Sequence, residues 1–143
     1  MNEIAPGILT ETIEDGKIHI ITIKSITRPS VNAWAQHIKD LITGWEDTNK
    51  PYLVLYDFTD PKVSFTPYVR EKSAELTTLR PEVTGRIAVV LSRGAINFLV
   101  MLFAQLRPRA ARQIKIFFDK ESALAWLNDG TTTQKQQTRQ TDA

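Results

Sequence analysis

Between Arg86 and Leu127 the chain carries its apolar residues in an order that leaves few folds open. Arg86-Ile87-Ala88-Val89-Val90-Leu91-Ser92 is a continuous apolar run of strand length, and Ala95 to Leu106 is apolar on nearly every side of a helical wheel. A second strand pattern, Ile114-Lys115-Ile116-Phe117-Phe118, passes through Asp119 into a helix bearing Ala123, Leu124, Trp126 and Leu127, with Gly130 placed to stop it. Apolar runs without polar alternation need cover on both sides, which is the condition of a strand inside a parallel sheet. The segment therefore reads as a parallel βαβα unit.

The preceding chain supplies the rest of that sheet. Ile8 to Glu14 and Lys17 to Lys24 are strand-like runs separated by Asp15-Gly16, a strong hairpin signal, so they pair antiparallel. Pro29-Ser30 opens a helix with Ser30 as the expected N-cap. Val31, Trp34, Ile38, Leu41, Ile42 and Trp45 then fall on one helical face, with Asn32, Gln36, Lys39 and Asp40 opposite. Tyr52 to Phe58 is a second long apolar strand and takes a central place in the sheet. Thr66 caps a polar helix with Pro67 at its first position, and Arg80-Pro81-Glu82 breaks it. Only Val69, Ser73, Leu76 and Leu79 can point inward from it.

The expected order is ββαβαβαβα in one α/β domain over residues 1–130: a mixed, mainly parallel five-stranded sheet with an N-terminal antiparallel hairpin. Residues 131–143 hold nothing larger than Thr and Gln on the apolar side and read as a disordered polar tail. Successive right-handed crossovers wind such a chain into a β-α superhelix with its helices largely on one face.

Composition removes several classes of function. The 143 residues contain no cysteine, which excludes disulfides, thiolate nucleophiles and cysteine-ligated metal or iron–sulfur sites. A formal charge of +2 is spread through interleaved acids and bases, so nothing favours a nucleic-acid partner. As a helix, Ala95 to Leu106 would be about 18 Å long against a hydrocarbon core of about 30 Å. With no secretory leader pattern, a cytoplasmic protein is expected.

The element order, the Tyr52 to Asp60 strand ending in acids, Arg86-Ile87-Ala88-Val89-Val90, and Ile116-Phe117-Phe118-Asp119 with Ala123-Leu124-Ala125-Trp126-Leu127 resemble the SpoIIAA-like, or STAS/SEC14-type, superfamily. The resemblance spans roughly Ile8 to Asn128. It implies a non-enzymatic role, since members include anti-sigma-factor antagonists that bind a partner kinase, cytoplasmic domains of anion transporters and uncharacterised bacterial stand-alone domains. The antagonists carry a regulatory phosphoserine in Asp-Ser-Ser-Gly just after Val-Ser-Phe. Here Val63-Ser64-Phe65 is kept but continues Thr66-Pro67-Tyr68-Val69, so the usual phospho-switch is missing. Ser64 and Thr66 remain the nearby hydroxyls open to regulation, and helix capping accounts for Thr66 without it.

Other chemistry-bearing residues each have a structural alternative. His19 and His37 are the only histidines, with no further ligands at a metal spacing. Asp57 and Asp60 end a central strand, where open α/β sheets place their sites and where a hydrolase-like activity would sit, yet acids before a proline commonly form caps and turns. Ser92-Arg93-Gly94 can hold an anion through helix-start amides and the Arg93 guanidinium, although no phosphate-loop spacing surrounds it. No metal and no cofactor is called for.

Two features favour interaction over catalysis. Arg107, Arg109, Arg112 and Lys115 form a basic cluster suited to a helix C-terminus, an acidic partner or an anionic membrane surface. Ile96, Phe98, Leu99, Val100, Met101, Leu102 and Phe103 cover more of a helix than one buried stripe. Self-association through Ile96, Leu99, Val100, Leu102 and Phe103, most simply as a homodimer, is the first expectation. An apolar or lipid ligand pocket, membrane-surface association, and burial beneath the first helix or the C-terminal tail are the alternatives.

Overall fold

The computed structural model describes residues 1–64, 66–92 and 112–129. Six strands form a single sheet in chain order: β1 (Asn2–Ala5), β2 (Ile8–Ile13), β3 (Ile18–Ile23), β4 (Tyr52–Phe58), β5 (Gly85–Leu91) and β6 (Arg112–Phe117). The first three pair antiparallel; β3 to β6 run parallel. The described helices are α1 (Arg28–Thr43), α2 (Pro67–Thr77) and α3 (Lys120–Asp129).

The sheet has one strand more than the five expected. β1 has little pattern of its own: Asn2, Glu3 and Ile4 are exposed, and it is held by pairing to β2 rather than by burial. Its return turn needs Gly7, whose φ of 77° is left-handed and whose Cβ position would meet Ser25. The next turn also differs from the two-residue form implied by Asp15-Gly16. Ile13 pairs with Ile18, so Glu14 to Lys17 make a four-residue loop in which Glu14, Asp15 and Gly16 all have positive φ.

Pleat alternation divides the core in two. Ile8, Ile21 and Ile23 with Tyr52, Val54, Tyr56 and Phe58 face α1 and α2, meeting Val31, Trp34, Ile38, Ile42, Val69 and Leu76. Trp34 stands edge-on to Tyr56 and Phe58, at 5.6 Å and 6.3 Å between ring centres. On the opposite face Ile18, Ile20, Leu53, Leu55, Ala88 and Val90 pack against Ala123 and Leu127 of α3. This corrects the expectation that the helices lie largely on one face. Crossover handedness constrains a helix only when another parallel strand follows it. α3 follows the last described strand, so it is free to cover the side that α1 and α2 leave bare.

α1 starts earlier than expected. Thr27, not Ser30, is the N-cap, its side chain accepting from the Ser30 amide at 3.3 Å. Pro29 is tolerated in the first turn because its missing N–H would have no intrahelical partner. Ser30 instead donates its hydroxyl to the Pro6 carbonyl at 2.7 Å, tying the helix start to the β1–β2 turn. α2 begins as expected, with Thr66 accepting from the Val69 amide at 3.2 Å.

β5 enters the sheet at Gly85, and here a side chain is impossible without movement: a Cβ would collide with the Tyr52 backbone of β4. Gly85→Ala is expected to cost about 2 kcal/mol or more, measured by urea unfolding, because backbone cannot step aside as a flexible side chain can.

Candidate functional site

The carboxyl ends of the parallel strands are where a fold of this kind ordinarily gathers its chemistry. Asp57 and Asp60 are both there, and each is engaged within its own turn. Asp57 Oδ1 accepts from the amide and the hydroxyl of Thr59 at 3.0 Å and 2.6 Å. Asp60 Oδ1 accepts from the Lys62 amide at 2.8 Å, while its carbonyl accepts from the Val63 amide. These are turn-forming arrangements. Thr22, in register with Asp57 on β3, buries a hydroxyl that has no hydrogen-bond partner among the described residues and supplies no base.

Ser64 is exposed, and its carbonyl accepts from the Thr66 amide at 3.1 Å. The Thr66 hydroxyl oxygen is occupied as the α2 cap. Beside them two cations approach the Tyr68 ring, the Arg28 guanidinium at 4.5 Å and the Lys72 ammonium at 5.5 Å from its centre. Of the proposed anion-binding turn, Ser92 is exposed at the end of β5, and Arg93 and Gly94 lie outside the described residues. Ile96, Leu99, Val100, Leu102 and Phe103, with Arg107 and Arg109, also lie outside them.

The remaining members of the basic cluster do not act together. Arg112 and Lys115 stand three apart on β6, so the pleat sends them to opposite faces of the sheet. Lys115 is exposed, 5.4 Å from the Phe117 ring centre and 6.0 Å from that of Trp126. Arg112 is only 3% exposed and points the other way. Its guanidinium donates to the carbonyls of Leu76, Leu79, Arg80 and Val83, at 3.4, 2.8, 3.2 and 2.7 Å. It closes the C-terminal end of α2, whose last carbonyls have no partner within the helix. A reading of Arg112 as part of a surface for acidic partners is therefore corrected.

Two further arginines do the same work, and no sequence signal marked them. Arg80 donates to the carbonyls of Ile42, Thr43 and Trp45 at 3.1, 3.3 and 2.5 Å, closing α1. Arg86 donates to the Trp126 carbonyl at 2.7 Å, lies 3.7 Å from the Asp129 carboxylate and stacks 5.0 Å from the Trp126 ring centre, closing α3. Burial and the proximity of Tyr56 push the Tyr52 phenol up, and burial pushes the Tyr56 phenol up, each opposed by Arg112. Both phenols stay neutral through the physiological range and serve as core.

His19 and His37 approach each other across the β3–α1 interface, beside the Trp45 ring, whose centre is 6.1 Å from that of His19. Burial lowers both from their ordinary value; the neighbouring His37 lowers His19 further, and Asp40 partly offsets the effect at His37. Among the described residues no group of three His, Asp or Glu side chains could hold a metal ion.

No family model matches the sequence, and no curated protein matches it. Among solved structures the fold is similar to an uncharacterised protein of the DUF3478 family with a SpoIIAA-like fold from Shewanella loihica PV-4. The TM-score is 0.58 at 19% identity, covering 84% of this chain and 91% of that one. The chain thus has the SpoIIAA-like fold, as the sequence resemblance implied.

Two measurements check this anatomy. Arg112→Met is expected to lower stability by about 3 kcal/mol in urea unfolding, because buried carbonyls lose charged donors. Arg112→Lys recovers only part, since an ammonium cannot fork between two sets of acceptors. For the histidines, a native pKa below the unfolded value means that the unfolded chain binds more protons as pH falls through that window. Stability is then complete well above about pH 6.5 and declines as pH falls through it, and His19→Gln with His37→Gln should flatten that decline.

Proposed function

We propose that this chain is a non-enzymatic interaction module that self-associates through the segment from Ala95 to Leu106. The observation that carries the reading is the run Ile96, Phe98, Leu99, Val100, Met101, Leu102 and Phe103, placed between two adjacent parallel strands. Strands so close need only a crossover to join them, and a crossover helix buries a single apolar stripe. A run apolar on nearly all sides retains surface that a second copy can cover, which is how homodimer interfaces commonly arise.

The state of the strand ends supports a role without catalysis. Asp57 and Asp60 spend their carboxylates on local turns, and neither faces a partner acid or base within hydrogen-bond distance among the described residues. General acid–base work requires such convergence on one substrate position. Ser64 and Thr66, beside Tyr68 and its two cations, offer a surface at which association can be regulated.

Light scattering on the purified chain tests the proposal. The wild type should show about twice its 16.2 kDa mass, and Leu99→Asp or Phe103→Asp should reduce this to the single-chain mass while the far-ultraviolet dichroism is retained. A wild-type protein that stays at the single-chain mass up to about 1 mM, a concentration at which even weak interfaces assemble, would overturn it.

A further inference from the structure

A cleft of about 290 Å³ opens at the amino end of the parallel strands. One wall is the β2–β3 loop, fixed by hydrogen bonds from the Gly16 amide to the Ile13 carbonyl and from the Lys17 amide to the Glu14 carbonyl, at 3.1 Å and 3.2 Å. The other is the α1–β4 connection, fixed by the Lys50 amide on the Asp47 carbonyl at 3.0 Å and the Asn49 amide on the Asp47 side chain at 2.9 Å. Pro51 and Trp45 give it an apolar lining, with the buried Leu53 at its base.

Trp45 is held on three sides. Its indole N–H donates to the Lys50 carbonyl at 3.1 Å, and its ring stands edge-on to Tyr52 at 5.5 Å and to His19 at 6.1 Å. The indole is therefore oriented before any ligand arrives, so binding loses little side-chain entropy there. Each wall also contributes one cation to the rim, Lys17 from the hairpin and Lys50 from the connection. Both are exposed, and neither has a salt bridge among the described residues, whereas Lys72 and Lys120 do. Asp15 is the acid on the same rim, leaving the cleft with an excess of one positive charge.

We propose that this cleft binds a small organic anion with a flat apolar body, of the aromatic carboxylate class, its ring against Trp45 and Pro51 and its carboxylate between Lys17 and Lys50. The volume is near the lower end for small-molecule sites, about 300 Å³, which suits one or two fused rings. An apolar lining with a few polar groups at one edge is the usual division of labour: the lining supplies affinity and the charges set orientation. Two ammonium groups on opposite walls select a terminal anion over a neutral ring, and they weaken with salt as exposed charges do.

The test is a titration of the isotope-labelled full chain with 2-naphthoate, followed by nuclear magnetic resonance, with inorganic phosphate in parallel. Saturable shifts are expected at the amides of Gly16, Lys17 and Lys50 and at the Trp45 indole N–H. The Lys17→Glu/Lys50→Glu double variant should weaken naphthoate at least tenfold, and Lys39→Glu, which alters an exposed α1 lysine outside the cleft, should leave it unchanged. Phosphate should bind at least tenfold more weakly than naphthoate. Shifts that do not saturate by about 10 mM, at which the free energy is too small for a formed site, overturn the proposal. So do phosphate binding as tight as naphthoate, or an equal loss in Lys39→Glu. Self-association, read by mass, is unaffected by any of these outcomes.

Discussion

The structure depends on how three helix C-termini are closed. A sheet whose parallel strands follow one another sends every helix back to the amino end, where each arrives with backbone carbonyls that have no donor and with the negative pole of its dipole. None of α1, α2 and α3 carries a basic residue in its last turn. The donors come instead from distant sequence: Arg80 for α1, Arg112 for α2 and Arg86 for α3. These contacts are also linked. Arg112 donates to the Arg80 carbonyl, holding at φ 39° the same residue whose guanidinium closes α1. A left-handed non-glycine backbone is costly on its own, and it persists here because bonds on both sides of Arg80 require it.

That linkage orders the amino end of the sheet. Arg112 reaches past Tyr52, with its guanidinium 5.7 Å from the ring centre, and Tyr52 in turn stands edge-on to Trp45. Trp45 gives its carbonyl to Arg80 and its indole N–H to Lys50. One aromatic residue thus joins the helix-closing arginines to the lining of the neighbouring cleft. Rigidity acquired to satisfy orphan carbonyls is passed to a surface that can bind.

Much of this frame was legible in the sequence, and what was not has definite physical causes. The β4 and β5 runs announced buried strands because they lacked alternation, and the α1 face was set by Val31, Trp34, Ile38 and Ile42 at helical spacing. β1 was silent since it is recruited by pairing alone. The arginine roles were silent for another reason. A guanidinium on a long stem bonds carbonyls 29 to 40 residues away, as Arg112 to Val83 and Arg86 to Trp126 do, and no local spacing encodes that reach. Proximity in sequence even misled: Arg112 and Lys115 read as one basic patch until the pleat placed them on opposite faces.

Strand order bears on where a ligand can sit. Open α/β sheets usually bind at the carboxyl end where strand order reverses, because loops diverge there and leave a crevice. In this sheet the described strands run β1 to β6 without reversal, so adjacent connections have no such point at which to part. At that end Asp57 and Asp60 spend their carboxylates on tight turns. At the amino end the antiparallel hairpin meets the α1–β4 connection, two elements of different pairing sense whose loops are not bound to pack together. The cleft opens at that junction, where a change from antiparallel to parallel pairing does what a reversal of strand order does in larger sheets.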